Sequence, residues 1–292
     1  MRLLVTGANG QLARKLAAMD GQELSVTAIG RPQLDICHPE TIRQAIAAFN
    51  PDIVINAAAY TAVDKAETEA DMAFAINRDG ARNVTKAAAK ANLPVIQIST
   101  DYVFSGDKEG PYVETDKTGP TGVYGASKLA GEAAVAGSNP RHLIVRTAWV
   151  YSDTGANFVR TMLRLAVDRD EISVVADQIG NPTYAADLAS GLVKAASAVL
   201  SSGSDQMFGT YHLTGSGSTS WAGFARQIFS VSRDLGGPWC EVREIPTSQY
   251  PTPAKRPANS RLSNDKFSGL FGWTAPQWQR SCDAVVTTLL NR

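Results

Sequence analysis

Five short apolar runs, at residues 3–5, 24–29, 52–58, 94–100 and 142–151, alternate with stretches of helical period at 39–49, 71–92 and 126–136. A strand buried on both faces reads as a continuous apolar run, and a helix between two such runs returns the chain for a parallel crossover. The alternation therefore predicts an α/β fold, a doubly wound Rossmann-type parallel sheet. The second half is less regular. Helices are expected at 157–167, 185–199, 221–233 and 277–290 and strands at 172–176 and 210–214, with loops at 201–204, 215–220 and the proline-rich 246–257. Residues 1–151 are expected to form a dinucleotide-binding domain and 152–292 a smaller α/β lobe, with 184–214 folding back onto the first. Such a lobe would close over the carboxyl ends of the strands, where ligands bind in open α/β sheets.

The composition excludes several classes of function. The 28 Lys+Arg residues balance 28 Asp+Glu, so there is no basic excess to release counterions from nucleic acid. Cys37, Cys240 and Cys282 are too few and too scattered for a disulfide framework. His38, His142 and His212 are equally dispersed, and no metal site is expected. No run approaches the roughly 18 apolar residues of a membrane span, and residues 1–6 are too short for a signal-peptide core. A soluble, cytoplasmic protein is expected.

Gly7 and Gly10 follow the first apolar run and precede a helical stretch at 11–19, with Ala13 at the third small position. Glycine lets the backbone turn tightly and approach a pyrophosphate, and the helix N-terminus attracts the anion. The same turn could be purely structural. An NAD site commonly places an acid about twenty residues further on. Here that stretch reads Ala28-Ile29-Gly30-Arg31, so NADPH is expected over NADH, with Arg31 on the 2′-phosphate. The bland alternative makes Arg31 a solvated loop residue.

Tyr124 and Lys128 are spaced to share one helix face. A phenol titrates near 10 and is a poor acid or base at neutral pH, but an adjacent ammonium brings it toward a usable range. Ser99 and Thr100, ending the fourth apolar run, can offer a hydroxyl to a carbonyl oxygen gaining charge. A Tyr-x-x-x-Lys pair is common on ordinary helices. Its place after a five-strand α/β pattern favours hydride chemistry on a carbonyl or alcohol.

These residues carry a resemblance. The segments Val5-Thr6-Gly7-Ala8-Asn9-Gly10-Gln11-Leu12, Asn56-Ala57-Ala58-Ala59-Tyr60-Thr61-Ala62-Val63-Asp64-Lys65-Ala66-Glu67, Ser99-Thr100-Asp101-Tyr102-Val103-Phe104, Tyr124-Gly125, Lys128-Leu129-Ala130-Gly131-Glu132 and Arg146-Thr147-Ala148-Trp149-Val150-Tyr151 run through much of the chain, with Asp177-Gln178, Gly180, Pro182-Thr183 and Arg256-Pro257 further on. The chain resembles the extended short-chain dehydrogenases/reductases, and within them the dTDP-4-dehydrorhamnose reductases, which perform the last step of dTDP-L-rhamnose synthesis.

The resemblance implies an NADPH-dependent reduction at C4 of a dTDP-sugar, with Thr100, Tyr124 and Lys128 as the catalytic triad and Tyr124 as the proton donor. It implies that Gly10, Gln11, Leu12, Asp35, Ile36, Ala57, Ala58, Ala59 and Tyr60 line the cofactor site. It places Thr100, Asp101, Tyr124 and Trp149 on the substrate, with Arg256 a candidate for the diphosphate or deoxythymidine end. Some members dimerise through a Mg²⁺ ion held by glutamates. Here Lys15 stands in the first helix and Ala185-Ala186 follow Pro182-Thr183, so a metal-independent monomer is expected. Two other readings are a different nucleotide-sugar 4-ketoreductase and a non-catalytic NADP-binding regulatory subunit resembling the methionine adenosyltransferase β subunit. The intact hydroxyl–Tyr–Lys set weighs against the latter.

Overall fold

The apolar runs become the strands of one sheet. In the computed structural model, which describes residues 1–202 and 204–291, β1 (Arg2–Thr6), β2 (Ser25–Ile29), β3 (Ile53–Asn56), β4 (Val95–Thr100) and β5 (His142–Thr147) are joined by a sixth strand, Gly209–His212. All pairings are parallel, and the order is β2-β1-β3-β4-β5 followed by Gly209–His212. The chain runs outward from β1 to β2 and then crosses to the other side of β1, so the switch point lies between β1 and β3.

Leu3, Val5, Ile53 and Ile55 face one core with the helices Gln11–Ala17, Ala185–Ser202 and Asp265–Phe271. Leu4 and Val54 face the other, with Pro39–Phe49 and Ala81–Lys90. This split of neighbouring residues between two cores is why the strands lack polar alternation. A third core joins the helices Phe158–Leu165, Trp221–Asp234 and Trp278–Leu290 to the strand Glu171–Val175, which pairs with Glu241–Ile245. No helix among the described residues is long and apolar enough to cross a membrane.

Three departures from the sequence pattern bear on the site. The expected helix at 71–92 is divided into Ala70–Phe74, a π-helical turn at Ala75–Gly80, and Ala81–Lys90. The extra residue of a π turn re-aims the chain. Here the Asn77 side chain bonds the backbone of Tyr60. The expected strand at 142–151 breaks after Thr147, because Trp149 has φ 47 and turns Val150–Tyr151 away to pair with Thr183–Tyr184. Finally, the helix expected from 126 starts at Val123, so Tyr124 and Lys128 both stand on Val123–Ala136.

Candidate active site

Gly7 leaves β1 at φ +78, and a Cβ on it would lie 2.9 Å from the backbone of Ala58. Only glycine permits both that conformation and that approach. Gly10 donates its N–H to Gly7 O at 2.8 Å and precedes the helix Gln11–Ala17, whose N-terminus receives no side-chain cap. The free N–H groups and the shallow backbone fit a pyrophosphate. Ala57, Ala58 and Ala59 follow β3 on the facing side. Ala58 N–H is held by the Thr6 hydroxyl at 3.2 Å, and Asn56, which accepts from that hydroxyl, donates to Gln97 at 2.7 Å. This buried ladder fixes the ends of β1, β3 and β4 against each other.

The other expected cofactor residues are differently placed. Arg31 is exposed at the end of β2. Asp35 accepts the Cys37 N–H at 2.9 Å and lies 3.5 Å from His38. Leu12 and Ile36 are buried in the two cores, so they offer a ligand little beyond backbone. The Gln11 side chain accepts from Asn157 at 3.0 Å, across to the second lobe. Tyr60 donates its hydroxyl to Glu69 at 2.6 Å, and that carboxylate raises the phenol to about 12.

The catalytic candidates converge at the end of β4. Thr100 donates to Asp101 at 2.9 Å, and its hydroxyl lies beside the Tyr124 phenol. Lys128 donates to Ile98 O at 2.6 Å. Burial pushes the Tyr124 phenol up, against the Thr100 hydroxyl, and depresses the Lys128 ammonium to about 8, with Glu132 opposing the fall. The expected lowering of Tyr124 by Lys128 is thus not what the protein alone sets up, because the ammonium is aimed at a β4 carbonyl and desolvation dominates the phenol. For a reduction this is the useful state: the donor arrives protonated.

Asp101 is buried, with one carboxylate oxygen lacking a partner; desolvation lifts it to about 6 against hydrogen bonds from Ser260 and Thr100. Trp149 stacks on Trp221 with ring centroids 3.6 Å apart and occupies the space a Cβ on Gly180 would fill. It packs against both the core around Tyr151 and Phe224 and the Phe104 cluster. Arg256 donates to the Tyr102 hydroxyl at 3.1 Å, and Tyr102 meets Tyr124 edge-on at 5.4 Å.

The sequence reading assigned no role to several supporting residues. Glu67 accepts the Val123 N–H at 2.9 Å and so anchors the start of the catalytic helix. Asn77 donates to Ser127 at 2.9 Å while gripping Tyr60, tying that helix to the segment after β3. Glu132 forms a buried bidentate pair with Arg146 at 2.9 and 2.7 Å and accepts from Ser99. Glu132 was legible, since it lies one turn beyond Lys128. Asn77 was not, because only a π turn aims it inward.

A doubly wound parallel sheet with a glycine turn at its switch point, and a partly buried tyrosine with a buried lysine one helical turn on beside the end of β4, defines the extended short-chain dehydrogenase/reductase class. Within it, the family model described as the RmlD substrate binding domain matches residues 1–291, and the chain belongs to that family. It is 50% identical over 290 residues to the dTDP-4-dehydrorhamnose reductase of Sinorhizobium fredii, covering 99% of this chain and 98% of that one. The Escherichia coli K12 enzyme of that name is 41% identical over 297 residues, 100% of this chain and 99% of its own. The solved dTDP-4-dehydrorhamnose reductase of Bacillus anthracis, in complex with NADP, superposes with a TM-score of 0.90 at 39% identity, covering 98% and 99% of the two chains. A Thermus thermophilus UDP-glucose 4-epimerase, at TM-score 0.80 and 20% identity over 99% of each chain, shares the fold.

Proposed function

We propose that this chain is an NADPH-dependent reductase converting the C4 keto group of dTDP-4-dehydro-β-L-rhamnose to the alcohol of dTDP-β-L-rhamnose, the last step of that sugar nucleotide's synthesis. The observation that carries the reading is the Thr100–Tyr124–Lys128 set at the end of β4, with Thr100 and Lys128 buried and Tyr124 partly exposed to a ligand, in a chain alike over its full length to reductases of that name.

The uncapped helix start and the Gly7 turn suit the dinucleotide's pyrophosphate, and NADPH when bound supplies the hydride to C4. The chain's residues do the rest. Tyr124 hands its phenolic proton to the C4 oxygen, and Thr100, beside Tyr124, turns its hydroxyl from Asp101 to that oxygen as charge develops. Lys128, fixed by Ile98 O, is positioned to hold ribose hydroxyls and to supply positive charge as the phenolate forms. Asp101 and Trp149 position the sugar. Arg256 reaches for the diphosphate, and Arg31, exposed after β2, takes the 2′-phosphate. Residues 1–151 with 184–214 serve the cofactor, and the remainder of 152–292 serves the sugar nucleotide.

The protein is further proposed to act in the cytoplasm, without nucleic acid, and as a monomer. Lys15, in the first helix, where some relatives of this family carry a metal-binding glutamate somewhere along its length, pairs with Asp153.

Loss of reduced-nicotinamide absorbance with enzymatically generated dTDP-4-dehydro-L-rhamnose, with chromatography of the product, tests the reading. Turnover to dTDP-L-rhamnose is expected. Tight NADPH binding with no turnover on this sugar would overturn it in favour of another 4-keto sugar or a regulatory role.

A further inference from the structure

The proline-rich strap between residues 246 and 258 borders a cavity of about 630 Å³ that Ser105, Asp177, Tyr250, Lys255 and Arg256 help line. The strap is anchored at both ends. The Asp177 carboxylate accepts the Thr247 N–H at 2.9 Å and its hydroxyl at 2.6 Å, and Pro257 packs so closely on Gly106 that a Cβ there would lie 2.4 Å away.

Between those anchors a single carboxylate holds the strap. Asp64, on the short helix Val63–Ala66, accepts the Ala254 N–H at 3.3 Å and the Arg256 guanidinium at 2.8 Å, while the other arm of Arg256 donates to the Tyr102 hydroxyl. Arg256 lines the cavity and its side chain is 28% exposed, so a ligand there can reach the guanidinium, while Asp64 is 40% exposed. A guanidinium fork matches phosphate oxygens at least as well as it matches a carboxylate, and a diphosphate brings more charge than one aspartate.

We propose that Asp64 competes with the substrate for Arg256: it holds the guanidinium until the diphosphate of a nucleoside diphosphate sugar displaces it, and so screens the cavity against weakly charged ligands. The inference rests on the reductase reading and deepens it. Discrimination then comes from the contact a ligand must break as well as from those it makes. Asp64, being partly exposed, keeps water and the Ala254 N–H after Arg256 leaves.

Asp64→Asn retains an acceptor for Ala254 and removes the charge. Titration calorimetry with dTDP should show this variant binding roughly three- to fivefold tighter than the parent, the size of a partly exposed ion pair. The KM for the keto sugar should fall by a similar factor with kcat unchanged. Arg256→Met should weaken dTDP binding, and in the double variant the gain from Asp64→Asn should vanish. Unchanged or weaker dTDP binding by Asp64→Asn, with the parent binding dTDP and turning over, would overturn the competition and make Asp64 a brace of the strap. A parent that binds no dTDP and reduces no dTDP-sugar would overturn the reductase reading itself, and this inference with it. Thermal unfolding of each variant identifies any that has lost its fold, and Asp64→Ser, which also removes the charge, then serves in place of Asp64→Asn, with the same tightening expected and its absence overturning the competition.

Discussion

At the scale of single residues, Tyr124 and Lys128 have opposite problems that burial solves differently. Desolvation favours the neutral form of each, which keeps the phenol protonated and ready to donate but weakens the ammonium. Tyr124→Phe keeps the ring against Tyr102 and removes the proton, so turnover should fall by roughly a hundredfold or more while the NADPH Kd changes little. Steady-state rates and a fluorescence titration check both halves. Lys128 gives a signature in stability. Its folded-state value is depressed from 10.5 to about 8, so between those values the unfolded chain binds a proton the folded chain has released. Stability should therefore rise with pH across that window on account of Lys128, and Lys128→Met should lack that rise. Urea midpoints at several pH values from 7.5 to 10.5 measure the difference; parallel curves for the two proteins would show that Lys128 is not the buried ammonium described.

At the scale of elements, the catalytic helix Val123–Ala136 is held at three points along its length. Glu67 takes its first N–H, Asn77 grips Ser127, and Glu132 pairs with Arg146 of β5. Gly125 and Gly131 let the helix approach backbone closely, since a Cβ at either would lie 2.2 Å from a carbonyl oxygen, of Tyr102 or of Asn77. Removing the first point should let the start of the helix move, and Tyr124 lies in its first turn. Glu67→Ala should cost about 2 kcal/mol of stability, the worth of a hydrogen bond to a charged acceptor. It should lower kcat more than it raises the cofactor Kd, because Lys128 lies a turn further in and keeps its bond to Ile98. Denaturation curves and kinetics on the same preparation test both; a loss confined to cofactor affinity would contradict the assignment.

At the scale of the whole molecule, the first helix, Gln11–Ala17, is tied to the segment that follows Val150–Tyr151. Gln11 bonds Asn157, and Lys15 pairs with Asp153 while lying over the Tyr184 ring at 5.4 Å. Burial works against the Lys15 charge, yet hydrogen bonds to Asp153 and Tyr184 leave it raised. An ammonium engaged this way repels a divalent cation. Sizing chromatography coupled to light scattering should therefore give a monomer with the same elution in Mg²⁺ and in EDTA. A dimer that forms in Mg²⁺ and dissociates in EDTA would sink that expectation.

The sequence by itself determined the parallel sheet, because a strand buried on both faces has to be written as an unbroken apolar run. It also determined the Gly7 turn and the Tyr124–Lys128 spacing, because these depend on residues close together in the chain. Tertiary structure alone decided what those groups experience. The π turn that aims Asn77, the left-handed Trp149 that ends the strand run, the carbonyl that captures Lys128 and the Asp64–Arg256 pair all join residues far apart in sequence or depend on packing that does. Local pattern records which side chains a segment buries. It does not record which distant backbone will stand beside them, and the depressed ammonium, the protonated phenol and the held guanidinium all follow from that juxtaposition.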